Sequence, residues 1–414
     1  MEITCPYCYE KFESSQALYR CRGLRCTQEE DETYMRFWTK DMGNTNVQPE
    51  TRHVYAPRKK FLFGVDRKCD VCGAEDYDYV CPKCHNELPQ EMIANGAEII
   101  SVIGGPASGK SHYIVALLQE LLENGFEIGL RATPMQLGND TSLHTTTKFE
   151  EARRQLNERL NVLEQTDRRE FSLPWIIRVD SRDPKVRGKQ DPKKSIYLVF
   201  YDTSGESFKS PDRMKREAAY LAQSKAVIVL FDTLSIPKIK EILSANHEST
   251  VDADKATPFE ETWQALENFI DDRNKHLEKK PFAFVLSKFD VVLKHSDDLG
   301  FNIHGFIDGS GQPIDSSYIN GKRVFDVSQV EEADELIRNA LRNRQVWNKP
   351  KYPDFVENTW GDNGRFFGMS AIGDTPKDGY MIPEGGIRPY RVMDPLLWVM
   401  SKLGGFAFET VGGA

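Results

Sequence analysis

The stretch Ala97-Glu98-Ile99-Ile100-Ser101-Val102-Ile103-Gly104-Gly105-Pro106-Ala107-Ser108-Gly109-Lys110-Ser111 decides how this chain is read. A near-continuous apolar run breaks into glycines and leads into a helical pattern, the signature of a buried strand feeding a phosphate-binding loop. Gly104, Gly105 and Gly109 leave the backbone bare, so the segment from Gly104 through Pro106, Ala107 and Ser108 can curl its amides around a phosphate. Lys110 then reaches the β- and γ-phosphate oxygens, the Ser111 hydroxyl is a magnesium ligand, and His112 stands beside them on the phosphate side. Tyr113, Ile114, Leu117, Leu118, Leu121 and Leu122 recur at three- and four-residue steps, which predicts an amphipathic helix. Asn124-Gly125 is expected to close it with a left-handed cap.

The 414 residues suffice for two to three domains, and the net charge of −9 gives no overall footprint for nucleic acid. Met1 leads straight into Glu2-Ile3-Thr4-Cys5, without the charged-then-apolar pattern of a leader. The longest apolar runs, such as 226–231, are too short for a bilayer, so a cytoplasmic protein with no membrane partner is expected.

All eight cysteines fall between Cys5 and Cys84. Cys5/Cys8, Cys69/Cys72 and Cys81/Cys84 are CxxC knuckles, and Cys21/Cys26 is a looser pair; together they predict two structural zinc sites of four cysteines each. The expected pairing is local, Cys5, Cys8, Cys21 and Cys26 for one ion and Cys69, Cys72, Cys81 and Cys84 for the other, with a cross-braced arrangement of the first four left open. His85 reads as an ordinary surface histidine. Residues 1–88 are thus a zinc-ribbon domain, with metal supplying much of its stability. Arg20, Arg22, Arg25, Arg58, Lys59 and Lys60 allow nucleic-acid binding by this segment, which is not the favoured reading.

Further along, 126–131 and 174–179 read as strands, 135–148 as a loop and 149–164 as a helix. The strand 196–201 delivers Asp202-Thr203-Ser204-Gly205-Glu206 at its carboxyl end. There Asp202 can hold magnesium through a water, and the Gly205 amide can donate to a γ-phosphate. A helix over 212–223 precedes strand 226–232, and a helix over 259–277 precedes strand 282–286, which ends in Ser287-Lys288-Phe289-Asp290. The Asp290 carboxylate can accept from guanine N1–H and the 2-amino group while the Lys288 stem lies along the purine face. Adenine offers neither donor, so an unpaired buried carboxylate would reject it. After an insertion at about 291–365 with a helix near 330–346, the strand 365–371 brings Ser370 and the Ala371 amide toward guanine O6. A closing helix over 394–400 is expected to be capped by Asp394.

Taken in order, the phosphate loop, DxxG, Lys288-x-Asp290 and Ser370-Ala371 resemble the Ras-like P-loop GTPases of the translation-factor-related class over residues 95–403. That resemblance implies an α/β fold with a mostly parallel six-stranded sheet flanked by helices, followed here by a 404–414 tail. It assigns Gly104 to Ser111 to phosphate, Ser111 and Asp202 to Mg2+, Ser287, Lys288 and Asp290 to guanine, and Ser370-Ala371 to the base pocket. Ser287 replaces the usual Asn or Thr, weakening a tie between base loop and phosphate loop. Glu206 stands where such enzymes carry Gln. Thr166 is the first candidate for the switch threonine over magnesium, with Thr145, Thr146 and Thr147 behind it. The ribbons and the closing Asp394-Pro395-Leu396-Leu397-Trp398 are similar to the bacterial double-GTPase family of GTPase-associated conflict systems, which implies a second GTPase and an effector as partners. An ATPase, or a nucleotide-bound zinc scaffold without turnover, is the alternative expectation.

Overall fold

The computed structural model describes residues 2–26, 29–41, 47–59, 65–96, 98–105, 107–135, 144–163, 174–181, 194–200, 221–246, 248, 259–269, 275–307, 314, 324–343, 351–377, 380–404 and 409–411. Its centre is one sheet of seven strands: β1 (Glu98–Gly104), β2 (Leu130–Pro134), β3 (Trp175–Ser181), β4 (Lys194–Phe200), β5 (Ala226–Asp232), β6 (Phe282–Ser287) and β7 (Gly364–Gly368). They lie in the order β2-β3-β4-β1-β5-β6-β7. Strands β4, β1, β5, β6 and β7 pair in parallel, whereas β3 is antiparallel to both its neighbours. The expected sheet of six strands is therefore corrected to seven: Leu130–Pro134 adds itself beyond the reversed strand, and lies later than the 126–131 segment read from sequence.

Both faces of the sheet are covered, which is why β1, β5 and β6 read as unbroken apolar runs rather than alternating ones. On one face Ile100 and Val102 pack with α1 (Lys110–Glu123), Phe149 and Leu156 of α2 (Thr145–Asn157), and Leu396 to Met400. On the other, Ile99, Ile103, Val229, Phe231 and Phe284 pack with α3 (Pro237–Ala245), α4 (Phe259–Phe269), α6 (Val327–Arg342) and α7 (Lys351–Trp360). Between them sits the short helix α5 (Asp290–Lys294), and the chain's last long helix is α8 (Asp394–Leu403). The second face also takes in Ile3, Cys5, Phe12, Trp38, Cys81 and Leu88, so a continuous core joins the cysteine-rich segment to the sheet.

Helix ends differ from their sequence reading for local reasons. Gly125 is not left-handed; a Cβ there would stand 2.3 Å from the Leu121 carbonyl oxygen, so the position needs the missing side chain for closeness of approach. Helix α2 begins at Thr145 rather than near 149, because Thr145 is buried and its hydroxyl accepts the Ile176 amide at 3.0 Å. Asp394 is the first residue of α8 rather than its cap, and its buried carboxylate takes the Arg391 guanidinium at 2.6 Å. Among the described residues, no helix is long and apolar enough to cross a membrane.

Candidate nucleotide and metal sites

Because β4, β1, β5, β6 and β7 run the same way, the segments after them leave one edge of the sheet. That edge is where open α/β sheets bind ligands. The loop after β1 turns through Ala107 and Gly109, both at positive φ (+59° and +78°), into α1. The bare Gly104 is required: a Cβ there would meet Ser108 Oγ at 2.5 Å and the Leu230 carbonyl at 2.9 Å. Lys110 is buried, and its ammonium donates to the Gly104 and Gly105 carbonyls at 2.8 and 3.1 Å. The charge is thus held at the loop, with Ser111 next to it in the first turn of α1. His112 Nε2 accepts the Leu163 amide at 3.1 Å, tying α1 to the segment after α2. Pro106, Thr166, Asp202, Gly205 and Glu206 lie outside the described residues, as does most of the helix expected over 212–223. Thr145, Thr146 and Thr147 stand in α2 rather than in a loop.

Two strand positions from β1, β6 delivers Ser287-Lys288-Phe289-Asp290; at roughly 4.8 Å per strand this is about 10 Å along the edge. Ser287 Oγ donates to the Phe231 carbonyl at 3.0 Å, so the serine ties β6 to β5. Lys288 has φ +54° and its ammonium pairs with Asp232 at 2.9 Å. Phe289 is buried beneath the turn, its amide donating to Met369 O at 3.0 Å. Asp290 is half-buried at the start of α5; burial pushes its carboxyl up, while the nearby Ser370 hydroxyl favours the ionised form. Ser370 in turn accepts the Gly373 amide at 2.8 Å and is bracketed to Tyr390 by two backbone bonds. Among the described residues the neighbouring Ala371 amide has no acceptor. The structure therefore brings Asp290, Ser370 and Ala371 together on the loop edge that also carries Lys110.

Three residues of this edge were not singled out from the sequence. Asp232 and Thr233 close the strand next to β6, and the Thr233 hydroxyl bonds both the Ser287 and Lys288 carbonyls, at 2.7 and 3.1 Å. Gly368 ends β7 against Phe289. Asp232 stands in register with Ser287, opposite the lysine turn, a relation that exists only once β5 and β6 have paired.

The cysteines form two tetrads, Cys5/Cys8/Cys81/Cys84 and Cys21/Cys26/Cys69/Cys72. The local pairing expected from sequence is corrected: each site takes one pair from either side of the spacer. Antiparallel pairing of Leu18–Cys21 with Tyr77–Val80 folds the chain back so that Cys21 meets the later knuckle. Sulfur separations of 3.7 Å (Cys5–Cys84), 3.6 Å (Cys8–Cys81), 3.5 Å (Cys21–Cys72) and 3.7 Å (Cys26–Cys69) are near the roughly 3.8 Å edge of a tetrahedron with Zn–S bonds of about 2.3 Å. All eight are free thiols, and the tetrads could hold structural zinc. Backbone amides aim at them, Tyr7 N–H to Cys5, Gly23 N–H to Cys21 and Lys83 N–H to Cys81. Burial pushes Cys5, Cys21 and Cys84 up; it raises Cys69 too, but there the Cys72 and Val71 amides together with the Cys21 and Cys26 thiols outweigh it and bring the thiol to about 7. Four sulfurs this close cannot all ionise without a cation among them. His85 is not a ligand; its Nδ1 contacts Asp31 at 2.9 Å.

Three of the basic groups in the same region have acidic neighbours. Arg20 is buried against Asp31 (3.0 Å), Arg22 bonds Asp78 (2.7 Å) and Arg58 reaches Asp70 (3.5 Å).

No protein-family model matches the chain. It is 27% identical over 334 residues, 78% of this chain and 80% of the relative, to a Mycolicibacterium smegmatis protein described as "Putative ESX-1 scaffolding and assembly protein SaeC". Solved structures with partial likeness include the signal recognition particle receptor SRb-GTP/SRX complex of Chaetomium thermophilum, at 14% identity and TM-score 0.27, covering 68% of this chain and 94% of that one. The translation elongation factor SelB of Methanococcus maripaludis with a GTP analogue shares 9% identity, TM-score 0.21, over 66% of this chain and 30% of its own. The Ski7 GTPase-like domain of S. cerevisiae bound to GTP shares 14%, TM-score 0.29, over 77% and 53%. At these scores the site rests on its own geometry.

Proposed function

We propose that this chain is a guanine-nucleotide switch that binds GTP with Mg2+ and hydrolyses it slowly, faster when a protein partner engages. The observation that carries the reading is the half-buried Asp290 carboxyl, at the end of β6 on the same sheet edge as Lys110 at the end of β1. An ionised Asp290 accepts from guanine N1–H and the 2-amino group, the Ala371 amide meets O6, and the Lys288 stem supports the ring. Lys110 turns from its two carbonyls to the phosphates, and the loop amides neutralise charge as it develops. Ser111 and Asp202 are the residues that would hold Mg2+, which would offset negative charge on the phosphates. Gly205 and Glu206 hold the attacking water, and Thr166 closes over the metal side. Residues 1–88 act as the zinc-held domain and 95–403 as the nucleotide domain, with a cytoplasmic setting.

A second GTPase and an effector, in a bacterial conflict or defence system, are the partners this reading names. The relative described as a scaffolding and assembly protein supports a switch that acts on other proteins. That same description, with the anionic Glu206 where water-positioning glutamine is usual, favours a second reading, a nucleotide-bound scaffold without turnover. Affinities for GTP and ATP, with and without Asp290→Ala, test the first. Preference for GTP that disappears in the variant supports it, and equal binding of ATP by the unmodified protein refutes it. Multiple-turnover phosphate release, lost in Lys110→Ala, separates enzyme from scaffold.

A further inference from the structure

The turn that carries Lys288 is held by a second strand end that the base reading does not use. Lys288 sits in the left-handed region at φ +54°, where a side-chain-bearing residue is strained, so the surroundings must hold it. They do so twice. Thr233 Oγ1 bonds the Ser287 and Lys288 carbonyls, and Asp232 Oδ2 takes the Lys288 ammonium at 2.9 Å. The Asp232 carboxylate is itself fixed, because its Oδ1 accepts the Leu234 amide at 2.9 Å and only 3% of its side chain is exposed. Lys288 remains 24% exposed, between this buried anchor and solvent.

We propose, building on the guanine-nucleotide reading, that Asp232 is a positioning residue for base binding: it pins the Lys288 ammonium so that the four methylenes are laid out as a fixed apolar platform for the purine ring. A lysine stem has several rotatable bonds, and immobilising them before the ligand arrives removes an ordering cost from binding. With its charge satisfied by Asp232, the lysine contributes through its stem and not through a ligand hydrogen bond. The platform is therefore indifferent to the exocyclic groups that Asp290 reads. Affinity and base choice are divided between two carboxylates on adjacent strand ends.

The test measures dissociation constants of the full-length protein for GDP, IDP and ADP. Inosine lacks the 2-amino group facing Asp290 and keeps the ring face. Asp232→Asn retains the acceptor for Leu234 and removes the anion, and Lys288→Met retains a stem without its ammonium. Each is expected to weaken GDP and IDP by the same factor, about tenfold, with the GDP-to-IDP ratio unchanged. Combined, the two substitutions are expected to cost no more than one alone. Wild-type GDP affinity in Lys288→Met, or losses that multiply in the double variant, would overturn the proposal, and Lys288→Met decides it even if Asp232→Asn does not fold. Failure of the unmodified protein to prefer GDP over ADP would instead overturn the guanine reading itself.

Discussion

Gly368 lies directly under the ring of Phe289: a Cβ on Gly368 would stand 2.6 Å from Phe289 Cδ1 and 2.7 Å from Cε1 and Cγ. The end of β7 and the lysine turn after β6 therefore share one space, and the glycine is what allows the aromatic ring to seat between Lys288 and Asp290. Phe301 and Phe306 pack around the same ring, at centroid distances of 5.6 and 5.0 Å.

Gly368→Ala is accordingly expected to displace Phe289 and carry Asp290 with it. The overpacking should cost about 1–3 kcal/mol of stability and weaken GDP binding by more than about tenfold. Thermal melts with and without GDP check both, and an unchanged melt with unchanged affinity would contradict the packing argument.

Zinc stoichiometry of paired cysteine variants follows from the interleaved tetrads. Cys8→Ser with Cys84→Ser strikes one tetrad and should leave one zinc per chain. Cys8→Ser with Cys26→Ser strikes both and should leave none. A local pairing would give the opposite pattern in a metal assay.

Chelation should be felt beyond the ribbon, because the core around Cys5 and Cys81 is continuous with Ile99 and Ile103 of β1. Removing both ions should lower the melting temperature of the whole chain and not only of its ribbon segment, as hydrogen exchange at the sheet amides would register.

Guanine binding should weaken on acidification earlier than an ordinary aspartate would dictate. Burial raises the Asp290 carboxyl in the free protein, so the penalty for its ionised form is absent below the unfolded-state pKa and complete above the raised folded value. Guanine donors relieve that penalty, so affinity should fall as pH drops through the raised value, with proton release on binding in that window. Calorimetry in two buffers of different ionisation heat reads the released proton.

Lys110→Met tests the phosphate side. It removes the bonds to the Gly104 and Gly105 carbonyls as well as the ligand contact, so nucleotide affinity should drop about tenfold or more and phosphate release should stop. Retained turnover would remove Lys110 from the chemistry.

Much of the sheet was readable because strands buried on both faces leave unbroken apolar runs: 226–232 was read with its observed bounds, and 282–286 fell one residue short at Ser287. The start of α2 was not, because three threonines are poor helix formers and only the tertiary bond from Ile176 reveals Thr145 as a helix start. The cysteines could be recognised as candidate ligands from CxxC spacing, but spacing does not say which knuckles come together. Strand pairing across the spacer decides that. Asp232 was hidden for a related reason. A carboxylate at a strand end is satisfied locally by the Leu234 amide, and nothing nearby in the chain announces a lysine that follows only after the next strand.

The laced arrangement of the tetrads also constrains the order of events during synthesis. Since neither cluster is complete until a late knuckle has been translated, Cys72 for one and Cys84 for the other, the first half of the ribbon leaves the ribosome with its thiols unclaimed. The Cys21/Cys26/Cys69/Cys72 cluster can close only as residue 72 emerges and the Cys5/Cys8/Cys81/Cys84 cluster as residue 84 does, the latter just ahead of β1, whose Ile99 and Ile103 share its core.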